Sequence, residues 1–171
     1  THLTLPVSSQ VVSSPENTAD FLLTIRNVIQ TSSNVFEFDI YLLDTDDTQP
    51  MELSTFQFGI KFNVTILNGA PQTVGMTSLV PGYSDLPNYM QPNNPNTGAT
   101  GLIKIVGNSP PGYGNGYIVP TTPPGACVCR LRFTNTSPFY NNSHPCLVFT
   151  SSTASPPLYA TRVFIYMNGI G

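Results

Sequence analysis

The sequence predicts an all-β fold, a jelly-roll-like β-sandwich of two antiparallel sheets with about nine strands and very little helix. Three observations carry this expectation. Two windows alternate apolar and polar residues with a period of two, as a half-buried strand requires because successive side chains point to opposite faces. The 17 Pro and 13 Gly fall between short β-rich runs, where they act as turn formers. No window of helical length shows apolar residues at i, i+3 and i+4, and Pro interrupts the longer stretches that could have offered one.

At the N-terminus, Leu3, Leu5 and Val7 alternate with His2, Thr4 and Pro6, so Thr1 to Val12 is expected to form a docked strand with one apolar face. A Ser/Pro/Asn linker, Ser13 to Thr18, separates it from the remainder of the chain. The chain thus divides into an N-terminal strand and linker, 1–20, and a sandwich domain, 21–171. Phe21 to Gln30 is the next strand. Asn34 to Leu43 places Phe36, Phe38, Ile40 and Leu42 on one face and Glu37, Asp39 and Tyr41 on the other. Glu52 to Asn63 repeats the pattern, with Phe56, Phe58, Ile60 and Phe62 opposite Thr55, Gln57, Gly59 and Lys61. Four large apolar side chains on one face must meet a second sheet. Further strands are expected over Thr73 to Val80, Leu102 to Val106, Gly116 to Val119, Ala126 to Thr134, Cys146 to Thr150 and Tyr159 to Met167. Pro81 to Thr100 and Gly107 to Gly125 break the rhythm; they read as long loops, and loops of such length in a compact domain tend to be functional when ordered.

Composition narrows the function classes. The 171 residues suit one domain with a single core. Only 9% of residues are charged, while about 50 are Ser, Thr or Asn, so the surface is uncharged and rich in hydroxyls and amides. Six Lys plus Arg against nine Asp plus Glu leave a net charge of −3, which offers a phosphate backbone little to bind, and nucleic acid is excluded as a partner. No apolar run reaches the length of a spanning helix, so membrane insertion is not expected. Position 1 is Thr, and no basic region followed by an apolar one precedes the first strand. The expectation is that a targeting peptide has been removed and that the protein is secreted, to the extracellular space or the cell surface.

The runs Phe36-Glu37-Phe38-Asp39-Ile40-Tyr41-Leu42-Leu43-Asp44-Thr45-Asp46 and Glu52-Leu53-Ser54-Thr55-Phe56-Gln57-Phe58-Gly59-Ile60-Lys61-Phe62-Asn63 resemble a cohesin-like domain of secreted Bacteroidota proteins. Leu79-Val80-Pro81-Gly82, Ile103-Lys104-Ile105, Pro110 to Gly116 and Arg130 to Thr136 come in the order found in that family, so the resemblance extends from about Phe21 to Gly171. It implies a two-sheet, jelly-roll-like sandwich and export by the type IX secretion route. The shared motifs are structural, so no activity is implied by them. Family members usually continue into further repeats or a C-terminal sorting domain, and the sequence ends just after the strand Val163 to Met167, as a cleaved protein or a fragment would.

Chemistry-bearing groups are sparse. Asp44, Asp46 and Asp47, with Glu52 close behind, set oxygen ligands at the i, i+2 spacing calcium uses, yet the glycine and distal glutamate of a full calcium loop are missing; the alternatives are a calcium site and a solvated acidic turn. No other cofactor is expected. Cys127 and Cys129 fall on the face of Leu131 and Phe133 and are too close along a strand to bridge, leaving buried free thiols or one bond to Cys146. Catalysis needs a nucleophile with its base or two facing carboxylates, and His2 and His144 sit in no such arrangement, so the protein is read as non-enzymatic. Glu37 and Asp39 share a strand face, which is ordinary for an outer face. Gly112, Gly114 and Gly116 lack the strand-to-helix context of a phosphate loop. Asn63, Asn135 and Asn141 each begin an Asn-x-Ser/Thr sequon.

Three functional readings are compatible with these residues. In the first, the protein is a structural subunit of an extracellular filament or matrix, a homo-oligomer or polymer. Its N-terminal strand, Leu3, Leu5 and Val7, either folds back on its own sheet or adds to the open edge of a neighbour. In the second it is an adhesion or carbohydrate-binding module in which Tyr83, Tyr89, Tyr113 and Tyr117, interleaved with Asn88, Asn93, Asn94 and Asn115, bind a glycan; the alternative for these rings is packing or subunit contact. The third is a docking module of cohesin type.

Overall fold

The computed structural model describes residues 20–68, 76–98, 101–156 and 158–166, together with the strand Ser9–Val11. Among these residues the chain forms strands β1 (Ser9–Val11), β2 (Phe21–Ser32), β3 (Val35–Asp44), β4 (Glu52–Lys61), β5 (Met76–Leu79), β6 (Asn96–Gly98), β7 (Leu102–Val106), β8 (Tyr117–Ile118), β9 (Ala126–Thr134), β10 (Val148–Phe149) and β11 (Arg162–Tyr166). The helical content among the described residues is one 3-10 turn, Val64–Ile66, opened by Asn63, whose side chain accepts the Thr65 N–H. The β-sandwich expectation is met. One short strand enlarges the expected set: β6, which lies inside the stretch read as the loop Pro81 to Thr100; β1 falls within Thr1 to Val12, expected as a docked strand.

One sheet has the order β1-β2-β3-β9-β5, the other β10-β4-β7-β6, with β8 and β11 also on β4. All pairings are antiparallel. Because Gln57 pairs with both Arg162 and Val106, β11 and β7 lie on opposite flanks of β4. Strand β4 is therefore the spine of its sheet, as β3 is of the other.

The alternation puts the core between the sheets. Phe36, Phe38, Ile40 and Leu42 of β3 and Phe56, Phe58 and Ile60 of β4 are buried, along with Phe62 just beyond β4. Phe133 of β9 stacks on Phe36 at 4.9 Å and meets Phe62 edge-on at 5.2 Å, so its ring links the two layers. Each such ring contributes on the order of 2–3 kcal/mol by leaving water.

Of the four register shifts in the strand pairings, those at Asn27 and Val128 change which residues of the five-stranded sheet face the core. On β2, Arg26 pairs with Asp39 and Ile29 with Glu37, so Asn27 and Val28 together oppose Phe38. Asn27 occupies the left-handed region, φ 51°, which Asn tolerates better than most residues. The bulge returns Val28 to the core side, where it packs against the core. On β9, Ile40 pairs with Cys129 and Tyr41 with Cys127, leaving Val128 as the extra residue. Val128 and Cys129 both join the core while Cys127 does not. The expectation that Cys127 shares the face of Cys129, Leu131 and Phe133 is thus corrected: an extra residue between them reverses the alternation.

Strand β1 lies on the edge of β2, with Ser9 opposite Thr24, Gln10 opposite Leu23 and Val11 opposite Leu22. Leu3, Leu5 and Val7 lie outside the described residues, as do the linker residues 12–19 and the ends of two expected strands, 73–75 and 167. From Ile25 to Ser32 the outer edge of β2 has no strand partner among the described residues.

Candidate functional site

The acidic turn does not gather its carboxylates. Asp44 is buried at the end of β3, where its two oxygens accept the N–H groups of Asp46 at 3.0 Å and Met51 at 3.2 Å. Burial pushes the Asp44 carboxyl up, against the pull of those two N–H bonds. Asp46 accepts from the hydroxyl and N–H of Thr48, which hold its carboxyl down. Asp47 is exposed. Glu52 faces elsewhere: its Oε1 accepts the N–H groups of Gly114 at 2.7 Å and Gly116 at 2.8 Å. Among the described residues no three His, Cys, Asp or Glu side chains converge as a metal site would require. The turn is held by side-chain-to-backbone bonds of the Asx type.

Glu52 instead tethers a loop, and the loop carries aromatics. The segment Gly112 to Gly116 arches over the start of β4, with Asn115 between the two tethered glycines. Tyr89, from the preceding long loop, donates its hydroxyl to the Asn115 carbonyl at 2.9 Å. Asn93 and Asn108 join the same two loops, Asn93 Nδ2 donating to Asn108 Oδ1 at 3.2 Å and Asn108 Nδ2 to the Gln91 carbonyl at 2.7 Å. These bonds join the two long loops in one surface. Tyr113 meets the Tyr166 ring edge-on at 6.2 Å, and Tyr89, Tyr113 and Ile118 are each more than half exposed.

Tyr166 is not among the expected site residues, because its strand gives no sign of which loop it meets. Tyr117 belongs to the loop but packs against the core, and burial raises its hydroxyl pKa. Tyr83 is elsewhere. Its ring lies 3.9 Å from the Arg130 guanidinium, on the outer face of the five-stranded sheet. The four expected tyrosines thus divide: Tyr89 and Tyr113 share a surface with Tyr166, and Tyr83 and Tyr117 serve packing.

That outer face holds charged residues of the domain in an ordered ladder. Asp39, 2% exposed, accepts both Arg130 Nε at 2.6 Å and Arg130 Nη2 at 2.9 Å, and Asn27 Nδ2 at 2.6 Å. Glu37 is likewise buried, under Arg132 at 2.6 Å. Glu37 and Asp39 share the outer face of β3 as expected, and they are buried there because the arginines of β9 lie directly opposite and close over them. Cys127 sits at the end of this ladder, its thiol donating to the Tyr83 carbonyl and its N–H to Asp85 at 2.7 Å. Burial pushes that thiol up to about 11, and pushes the Cys129 thiol up further. All three cysteines are free; Cys146 is exposed.

A third feature lies at the far end of β2. A groove of about 420 Å3 is lined there by Val28, Gln30, Phe36 and Ile66 together with Phe139, Tyr140 and the polar residues that follow them up to Pro145. Tyr140 is 59% exposed. No binding surface is expected from the sequence of 135–146, although Phe139 and Tyr140 stand as an aromatic pair among Asn, Ser and Pro. Asn135 anchors this segment: it is buried, its Nδ2 donates to the Ile66 carbonyl at 2.7 Å, and its carbonyl accepts Asn34 Nδ2 at 2.8 Å.

Comparison of the chain with protein-family models, with curated proteins and with solved structures gave no match.

Proposed function

We propose that the protein is a non-enzymatic, secreted structural subunit that assembles into a filament or matrix by adding its N-terminal strand to a neighbouring copy. The observation that carries this reading is the edge of β2. That strand is 12 residues long, and β1 covers three of them. An open edge is a template for pairing with another chain unless something covers it. The nine residues between Val11 and Phe21 exceed the two to five a hairpin needs, and at roughly 3.3 Å per residue a connection of that length suffices to span to a second molecule. A head-to-tail contact of this kind does not close on itself and generates fibres. The resemblance to cohesin-like domains of exported Bacteroidota proteins supports the extracellular address, as does the scarcity of charge. The buried carboxylates Asp39, Asp44 and Glu37 are occupied by arginines or backbone N–H groups, which supports a non-catalytic role.

The test is negative-stain electron microscopy of the protein beside a variant lacking residues 1–12. Regular polymers that vanish on truncation are the expected result. Monodisperse particles in both preparations would sink the reading.

A second reading, an adhesion or glycan-binding module, is favoured by the surface on which the exposed Tyr89 and Tyr113 meet the half-buried Tyr166, since exposed rings beside amides are what sugar faces stack on. Saturable binding on a glycan array, lost in Tyr113→Ala, is its signature.

A further inference from the structure

We infer that the groove at the end of β2 is the receiving site for residues 1–8 of a second copy, with Leu3 and Leu5 seated between Val28 and the rings of Phe139 and Tyr140; this rests on the strand-addition reading above. The groove adjoins the stretch of β2, Ile25 to Ser32, whose outer edge is open among the described residues. Backbone pairing along that edge and side-chain insertion into that groove are the two components by which an added strand binds.

The alternation of side chains decides which copy supplies the strand. Ser9 lies opposite Thr24, and Thr24 faces away from the core, because its neighbours Leu23 and Ile25 are core residues. Leu3, Leu5 and Val7 have the same parity as Ser9. A regular strand that simply continued β1 along its own sheet would carry all three onto the outer face, with Arg26, Glu37 and Arg132 and with Ile29 as apolar neighbour. The groove lies on the other face, where the Asn27 bulge has turned Val28 inward. It would then receive Thr4, Pro6 and Ser8.

A segment from another molecule is not bound by the Ser9–Thr24 register. A shift of one residue exchanges the two faces and delivers Leu3 and Leu5 to the groove. Thr1 to Ser8 is long enough to pair with the eight residues Ile25–Ser32. Own β1 can keep Leu22 to Thr24 while the residues before it leave for the neighbour, so each copy both gives and receives.

The experiment mixes two single variants, both in a Cys146→Ser background: copies carrying Leu3→Cys and copies carrying Gln30→Cys. Because each chain holds one new thiol, a bond between them joins two molecules. Mild oxidation is expected to give a species of twice 18.5 kDa. The out-of-phase pair, Thr4→Cys with Gln30→Cys, is expected to give about tenfold less, since disulfide geometry tolerates little misalignment. A chain carrying both Leu3→Cys and Gln30→Cys that closes only on itself would overturn the proposal in favour of fold-back. Truncation-sensitive polymers without the Leu3–Gln30 cross-link would overturn the groove and leave strand addition standing. Monomers in every preparation would overturn both.

Discussion

Arg130 lies across the sheet from Asp39 and grips it with two bonds, Nε to Oδ1 at 2.6 Å and Nη2 to Oδ2 at 2.9 Å, while the ring of Tyr83 covers the guanidinium at 3.9 Å. A planar cation held in this way is anchored by geometry as much as by charge, and Lys cannot reproduce it.

Removing the cation leaves Asp39 buried without its partner. Arg130→Ala is expected to destabilise the fold by about 3 kcal/mol, and Arg130→Lys by less, because an ammonium keeps the charge and loses the fork. Urea unfolding followed by circular dichroism checks both. A loss under about 0.5 kcal/mol for Arg130→Ala would show that the pair contributes nothing net.

The thiols should differ sharply in reactivity. Cys127 and Cys129 are buried, and burial raises both thiol pKa values, so neither is a thiolate at neutral pH. One equivalent of a thiol reagent is expected to react with the native protein, at Cys146, and three after denaturation. The same shift sets a pH dependence. The Cys127 thiol ionises near 9 when unfolded and near 11 when folded. Between those values the unfolded chain loses its proton first, so stability falls as pH rises through that window. Cys127→Ala should flatten part of the fall.

Gly59 is the position on β4 least tolerant of a side chain. The alternation assigns it to an outer face, but Thr150, Tyr159 and Thr161 close over it: its N–H donates to Thr161 Oγ1 at 3.2 Å, and Thr150 hydrogen-bonds the Tyr159 carbonyl beside it. A Cβ there would collide with that carbonyl and lie 2.6 Å from Thr150 Oγ1. Gly59→Ala is expected to cost about 2 kcal/mol or more by overpacking. Unchanged thermal stability would refute this.

Glu52→Ala should free the aromatic loop without melting the sheet. With Oε1 gone, the N–H groups of Gly114 and Gly116 lose their acceptor, and hydrogen exchange over 112–116 is expected to rise by about an order of magnitude while β4 and β7 stay protected. Uniformly faster exchange would indicate global destabilisation instead.

Chelation should do nothing. The oxygens of Asp44 and Asp46 are engaged with N–H and hydroxyl donors, so a melting curve in a calcium chelator is expected to superimpose on the untreated one. A lower melting temperature would restore the calcium reading.

What could be read from the sequence was local. Phe36 to Leu42 and Phe56 to Phe62 declare their strands because a period of two is visible within a few residues, and four apolar side chains on one face require a second layer. The bulges at Asn27 and Val128 are not legible, since one extra residue changes no composition and shows only when a partner strand is laid beside it. Glu37 and Asp39 look wet until Arg132 and Arg130 arrive from some 90 positions along the chain. The tyrosines stand out for the company of loop residues, and only Tyr89 and Tyr113 end in one place, because Tyr83 finds a cation and Tyr117 finds the core. The groove went unread for the same reason: its walls come from β2, β3 and a distant loop, and no single stretch contains it.

The burial of Asn135 bears on how the protein is produced. Its amide Nδ2 is committed to the Ile66 carbonyl inside the domain, yet Asn135-Thr136-Ser137 is an acceptor sequence for N-glycosylation. In a eukaryotic secretory host the sugar would be added to the nascent chain, before that amide is sequestered. A chain modified there cannot close the segment over Ile66, whereas sugars on the exposed Asn141 leave the core intact. A bacterial host, or an Asn135-preserving Ser137→Ala change, avoids a failure that would otherwise be mistaken for an unstable fold.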